Sequence, residues 1–282
     1  MSDGPPRDVV ADLRAAGLRE RPLVLLLDYD GTLTPIAPHP RLAVLAQDTR
    51  QRLAQLSDCP RVHVGVVSGR KLDELQALVG VPGLCFAGAC GMELDLHGNH
   101  VVHPLAQEAA ERVANLVVQL ENAVANAPGA WVENKQLAAT VHYRDAAAER
   151  IDPLRRQVIA MVGSCPQRWR IVEGPMALEL TPDLGWNKGT AVQKILEHLG
   201  DPQALVVYAG DGENDGDAFE MVAALGGVTL GIGPDAPPTA RHRLPDPAAL
   251  AALLSRLAVE LGLRLTRRFT DPLVSRTGPR NQ

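Results

Sequence analysis

Short apolar runs that stop abruptly at polar residues set the pattern of this chain. Residues 22–27, PLVLLL, end at Asp28 with Gly31 in the turn beyond, which predicts a buried strand whose carboxyl end carries DYDGT. A helical stretch around Ala46 to Leu56 follows. A second apolar strand, VHVGVVSGR from Val62, again ends in small and polar residues, and a helix runs through Leu72 to Val79. Alternating strand and helix predicts a parallel sheet with right-handed crossovers, and such open sheets bind ligands beyond the carboxyl ends of their strands. Asp28, Asp30 and Ser68 are thereby gathered at one end.

The rhythm changes after Gly91. MELDLHGNHVVH reads as a hairpin with His97-Gly98-Asn99 at its turn, followed by a long helix from about Leu105 to Ala125. The strand pair WVENKQ and AATVHYR, a helix near Ala146 to Val162, and the short strands RWRIVEG and MALELTP complete this stretch. Two helices with several short strands predict a small α+β unit inserted into a larger α/β one. After Pro182 the alternation resumes: a helix from Lys188 to Leu199, the strand ALVVYAGD, a helix near Asp217 to Ala224 and the strand VTLGIG. The expected division is a core of residues 1–102 and 183–282 with an insertion at 103–182, and no repeat of fixed period is present.

Composition narrows the class. Hydrophobic residues at 46% and charged residues at 22% exclude a mostly disordered chain. Aromatics at 3% leave Ala, Val, Leu and Ile to build the core, which suits helices packed on a buried parallel sheet. A net charge of -5 excludes a general nucleic-acid binder and favours a small-molecule ligand. Cys59, Cys85, Cys90 and Cys165 form no CxxC pair, so free thiols in a reducing cytosol are expected. The opening MSDGPPRDVVADLR lacks the basic end and apolar run of a signal peptide, and no stretch approaches the ~18 apolar residues of a membrane span; the expected location is cytoplasmic.

The strand-end residues supply what cleavage of a phosphate ester requires: a nucleophile, a proton donor and positive charge around the phosphoryl group. Asp28 is the expected nucleophile. Asp30, two residues on, is the expected acid and then base. Asp211 ends another apolar strand in AGDGENDGDAF with Asp215 one turn further, and Asp28, Asp30, Asp211 and Asp215 are the expected ligands of Mg²⁺. Ser68, with the neighbouring Gly69 and Arg70, would hold phosphoryl oxygens, and Lys188 at a helix start adds a fixed positive charge.

DYDGT, VVSG, the lysine of NKG, and GDGEND, in that order, resemble the four motifs of haloacid dehalogenase-type phosphatases, and the likeness spans most of the chain. It implies a Rossmann-like parallel-sheet core of the haloacid dehalogenase type with an inserted α+β cap, and Mg²⁺-dependent hydrolysis through an aspartyl-phosphate at Asp28. DYDGTLTPI, VENKQLAATVHYR and EGPMALELTP carry a narrower resemblance, to trehalose-6-phosphate phosphatases. By that resemblance Glu133, Lys135, Arg144 and Glu179 lie on the cap face toward the active site, where they would bind sugar hydroxyls. The implied reaction releases trehalose and phosphate in trehalose biosynthesis, with trehalose-phosphate synthase as pathway neighbour. Cys90, where that family often has histidine, Pro175 and Thr181, where it commonly has basic residues, and the less acidic GDGEND leave the chemistry intact but put the sugar in doubt, and two alternatives stand beside this reading. One is another glycosyl phosphate (of sucrose, glucosylglycerol or a pseudo-disaccharide); the other is a non-catalytic sugar-phosphate sensor.

Four further signals are read as structural. His97, His100 and His103 straddle a hairpin turn where they need not converge on a metal. Cys90 reads as an inert buried filler, and GIGPDAPP lacks the GxGxxG spacing of a nucleotide loop. The basic stretch RLTRRFTDPLVSR reads as a surface helix and frayed terminus.

Overall fold

The computed structural model describes residues 8–174 and 176–263; Pro175 and the basic stretch from Arg264 lie outside the described residues. In chain order the elements are α1 (Val9–Ala15), β1 (Leu23–Leu27), α2 (Gln47–Ser57), β2 (Val62–Val67), α3 (Leu72–Val79), β3 (Cys85–Gly88), β4 (Glu93–Leu96), β5 (Asn99–Val102), α4 (Ala106–Val124), β6 (Trp131–Asn134), β7 (Ala139–His142), α5 (Ala148–Gly163), β8 (Trp169–Gly174), β9 (Ala177–Pro182), α6 (Lys188–Leu199), β10 (Leu205–Gly210), α7 (Gly216–Ala224), β11 (Val228–Ile232), β12 (His242–Leu244) and α8 (Pro247–Glu260).

Eight strands form one sheet in the order β12-β11-β10-β1-β2-β3-β4-β5. It is parallel from β12 to β3, and β4 and β5 join antiparallel at one edge. Strand β1 lies near the centre and is buried throughout. Its alternate side chains serve two cores, as the period of two in a strand demands. Leu23, Leu25 and Leu27 pack with Val10 and Leu13 of α1, Leu53 of α2, Leu75 of α3 and Leu254 of α8. Val24 and Leu26 pack with Val192 and Ile195 of α6 and Phe219 of α7. Each fully buried leucine contributes about 1.5–3 kcal/mol, and the doubled core explains why PLVLLL is apolar without a break.

The second sheet is antiparallel, in the order β6-β7-β9-β8. Ala139, Val141, Leu178 and Leu180 face α4 and α5, meeting Leu116, Leu120, Leu154 and Val158. The alternate residues therefore face away from the helices. Register aligns Glu133, Thr140, Glu179 and Val172 in one row across this face, and Trp131, His142, Ala177 and Gly174 in the next. The chain crosses between the sheets after β5 and again after β9, and the crossings meet where His103 packs edge-on against Trp186 with ring centroids 4.5 Å apart.

Most elements lie within a residue or two of the sequence reading, and α6 matches it at both ends. Elements α1, β3, β12 and α8 were not anticipated. The hairpin turn is His97-Gly98, both with positive φ (54° and 88°), and Asn99 already belongs to β5.

Candidate active site

Strands β1, β2 and β10 end side by side, so their polar extensions meet. The amide of Asp28 continues the ladder by donating to Ala209 O at 2.9 Å, and that of Ser68 donates to Ala87 O at 2.8 Å. Behind them, Asn187 caps α6 with a capping box: its side chain accepts from Thr190 N, and Thr190 Oγ1 accepts from Asn187 N. That cap starts the helix at Lys188 and fixes where its side chain enters the site.

Lys188 is 1% exposed. Its Nζ donates to Asp28 Oδ1 at 2.8 Å, Asp215 Oδ1 at 2.7 Å and Asn214 Oδ1 at 3.3 Å. Asp215, fully buried, also accepts from Tyr208 Oη at 2.7 Å and, through Oδ2, from the amides of Asp211 and Gly212. Burial would lower the Lys188 ammonium, but the Asp215 and Asp28 charges override it and hold the group well above its ordinary value. Burial pushes Asp28 up, with Lys188 opposing. Asp211 is pushed up to about 7 by burial and by the charge of Asp215.

Asp28, Asp211 and Asp215 each offer an oxygen within 4.8 Å of the others. The three carboxylates, when ionised, outnumber the one ammonium by two charges, and an all-oxygen donor set with that excess suits a hard divalent cation. The backbone leaves no room for side chains here. A Cβ on Gly31, whose φ is +78°, would lie 1.8 Å from Asp211 Oδ2, and one on Gly210 would lie 2.3 Å from Asp215 Cγ.

Asp30 does not join this group as its side chain stands. Arg70 Nε and Nη2 donate to Asp30 Oδ2 and Oδ1, both at 2.7 Å, in a two-bonded pair. Arg70 also binds Glu74 and Pro40 O, and Ser68 Oγ accepts from Arg70 N at 3.3 Å. Arg70, read in the sequence as a phosphoryl contact, thus holds Asp30 in place.

The acids open into a cavity of 580 Å³ between the two sheets, lined from below by Asp28, Asp30, Ser68, Gly69, Arg70 and Asp211, and from above by Glu133, Lys135, Arg144 and Glu179. All four residues expected on the cap face therefore look into one cavity with the strand-end acids. Lys135 Nζ donates to Glu179 Oε2 at 3.1 Å, and Cys90 Sγ donates to Glu179 Oε1 at 3.0 Å. Burial alone would raise the Glu179 carboxyl, but the Lys135 ammonium and the Cys90 bond bring it down to about 2. Burial and that same carboxylate push the Cys90 thiol well up. Cys90 is thus poorly suited to be a nucleophile, as the sequence suggested, but it anchors an acid of the pocket, which the sequence did not show.

Four residues of the site escaped sequence reading. Tyr208 sits in an apolar strand run and reads there as core. Trp131 stacks between His39, from the loop after β1, at 4.9 Å and 5°, and His142 of β7 at 4.1 Å and 16°. His142 is in turn paired with Glu133 at 2.9 Å. No local motif marks this stack, because His39 stands 92 residues before Trp131 in the chain; only the strand alternation of WVEN and ATVH signals which faces Trp131 and His142 share.

A largely parallel sheet with acids at the tips of β1 and β10, a buried lysine between them and a second sheet above defines a phosphatase-type architecture of the haloacid dehalogenase superfamily. Residues 26–239 match the family model described as Trehalose-phosphatase. The chain belongs to that family. A trehalose-phosphate phosphatase of Mycobacterium tuberculosis (strain H37Rv) is 34% identical over 257 residues, 88% of this chain and 64% of that protein. One of Mycobacterium avium is 34% identical over 263 residues, 92% and 65% of the two chains. The chain thus spans just under two thirds of the length of these relatives. Among solved structures, the C-terminal domain of Candida albicans trehalose-6-phosphate phosphatase shares the fold with a TM-score of 0.79 at 21% identity, over 90% of this chain and 99% of that one. An Aspergillus fumigatus trehalose-6-phosphate phosphatase gives 0.61 at 26% identity, over 91% and 100%.

Proposed function

We propose that this chain hydrolyses trehalose 6-phosphate to trehalose and inorganic phosphate, as a step of trehalose biosynthesis, with Mg²⁺ as cofactor and Asp28 as the covalent nucleophile. The observation that carries the reading is the cavity whose floor holds Asp28, Asp30 and Asp211 and whose roof holds Glu133, Lys135, Arg144 and Glu179, large enough for a disaccharide phosphate. Residues 103–182 act as the cap and the flanking segments as the catalytic core.

Asp28 attacks phosphorus, the bond to the sugar oxygen breaks, and Asp30 delivers a proton to that oxygen. For this Arg70 must yield one of its two bonds to Asp30, and the other keeps the carboxyl aimed. Asp30 then takes a proton from water, whose oxygen displaces Asp28 and releases phosphate. Ser68 and the amides of Gly69 and Arg70 orient the phosphoryl oxygens, while Lys188 opposes the burial that pushes the Asp28 carboxyl up. A Mg²⁺ ion held by Asp28, Asp211 and Asp215 supplies the charge that lets an anionic nucleophile approach an anionic phosphate. Glu133, Lys135, Arg144 and Glu179 bind sugar hydroxyls and exclude bulk water. The setting is the cytoplasm, where trehalose-phosphate synthase would supply the substrate.

Phosphate release from a panel of sugar phosphates, with Mg²⁺ and with chelator, tests this reading. Rapid Mg²⁺-dependent release confined to trehalose 6-phosphate, abolished by Asp28→Asn, is expected. A large preference for another glycosyl ester would move the assignment to that sugar. Binding with no release from any ester would point to a sensor.

A further inference from the structure

A cluster of ligating side chains outside the active site lies at the opposite end of the large sheet. It comprises His63 at the start of β2, Cys85 at the start of β3, His97 in the β4–β5 turn and His198 in the last turn of α6. Register brings them together. Gly65 pairs with Cys85, so His63, two residues earlier, shares its face; Cys85 pairs with Leu96, which puts His97 just beyond. Helix α6 packs over that same face through Val192, Ile195 and Leu199 and delivers His198 to the spot.

Cys85 Sγ lies 3.6 Å from His97 Nε2. The ring of His97 is 5.5 Å from that of His198 and 6.4 Å from that of His63, centroid to centroid. In a tetrahedral zinc site, with bonds of about 2.1 Å to nitrogen and about 2.3 Å to sulfur, a sulfur and a nitrogen ligand stand about 3.6 Å apart and two imidazole centroids about 5 Å apart. The thiol and His97 are therefore already spaced as one edge of such a tetrahedron. As they stand, no three of these four side chains bring ligand atoms within 4.8 Å of one another, so His63 and His198 must turn toward the Cys85–His97 pair to complete the set, a rotation open to them since His198 is exposed and His63 only half-buried. His97 holds its ring here from a left-handed backbone (φ 54°), a conformation uncommon outside glycine. Asp95, whose carboxylate accepts from Gly98 N at 2.5 Å and pairs with His100 at 3.3 Å, places negative charge beside both His97 and Cys85.

We propose that His63, Cys85, His97 and His198 form a second metal site, for a borderline-soft divalent ion such as zinc, bound through three imidazoles and one thiolate. The Cys85 proton leaves to solvent on binding, and Asp95 supplies charge in the outer shell. The ion would tie β2, β3, the β4–β5 hairpin and α6 together at the end remote from Asp28, so its role is structural. His100 and His103 take no part: one pairs with Asp95, the other packs on Trp186.

The test is titration of the untagged full chain with Co²⁺, in excess Mg²⁺ so that the oxygen site holds its hard cation. Tight binding of a single equivalent is expected, with tetrahedral visible bands and a thiolate-to-cobalt charge-transfer band, unchanged in Asp28→Asn and displaced by Zn²⁺. His97→Asn, which tolerates the left-handed backbone, and the exposed His198→Gln should each weaken Co²⁺ binding about tenfold or more and remove the thiolate band while leaving circular dichroism unchanged. Absence of the thiolate band, or a Co²⁺ affinity indifferent to both substitutions, would overturn the site. These readouts are independent of which ester the chain hydrolyses.

Discussion

Lys188 carries more of the site than any other side chain, because among the described residues it is the cation bonded to both Asp28 and Asp215 and is itself excluded from water. Lys188→Met keeps the volume and removes the charge, leaving two buried carboxylates uncompensated. Breaking a buried ion pair in this way costs about 3–5 kcal/mol. A matching loss of unfolding free energy in the presence of chelator is expected, together with loss of phosphate release. Glu179 makes the complementary case on the pocket roof. Its carboxyl is held at about 2, below the ordinary 4.5, so its ion pair with Lys135 contributes stability that is complete above about pH 4.5 and is lost as pH falls toward 2. Glu179→Gln should therefore be less stable than wild type at neutral pH, by no more than about 3 kcal/mol. Denaturant titrations at successively lower pH should show that gap closing.

At the scale of elements, what the sequence reveals depends on whether a segment's partners are local. Strands β1, β2 and β10 were legible because each is a largely apolar run ending in a functional residue, broken in β2 only by Gly65 and the half-buried His63. Strand β3 was not: CFAG is four residues long and passes directly into Ala89 and Cys90, both in left-handed conformation, so no periodicity develops. β12 is three residues long and exists only because β11 offers it an edge. Helix α8 could have been read from Asp246 as N-cap, Pro247 behind it and the Ala/Leu run that follows. The Asp246 side chain accepts from Ala249 N at 2.8 Å. Asp246→Ala should cost about 1 kcal/mol in denaturant unfolding with no change in turnover, since α8 packs on the face of the sheet beneath α1 and α2, away from the cavity. The site residues divide in the same way: DYDGT, VVSG, NKG and GDGEND were visible as motifs, whereas Tyr208 and the Trp131 stack required the fold to bring them in.

Across the whole molecule the cavity lies between the two sheets, and the Trp131 stack joins its upper lining to the loop that follows β1. His39 comes from the loop that follows β1, while Trp131 and His142 come from the second sheet. Aromatic pairs of this kind contribute about 0.5–1.5 kcal/mol beyond burial. Under the proposed reaction, Trp131→Ala should accordingly raise KM for trehalose 6-phosphate by up to about tenfold and leave kcat nearly unchanged, because the acids and Lys188 are untouched. Steady-state kinetics with His39→Ala should reproduce a smaller part of the same KM effect.

The edge-on contact of His103 with Trp186 sets how the second sheet can move. The chain leaves the large sheet at His103 and returns near Trp186, and these two rings fasten the crossings side by side, with Lys194 Nζ 4.3 Å over the indole. Two pins that meet at one place behave as the knuckle of a door. A swing of the second sheet about that line would keep the two rings in contact, whereas sliding or twisting across it would part them. A swing about it would carry the row of Glu133, Thr140 and Glu179 along a single path over Asp28, so a ligand held by that row would arrive in one register.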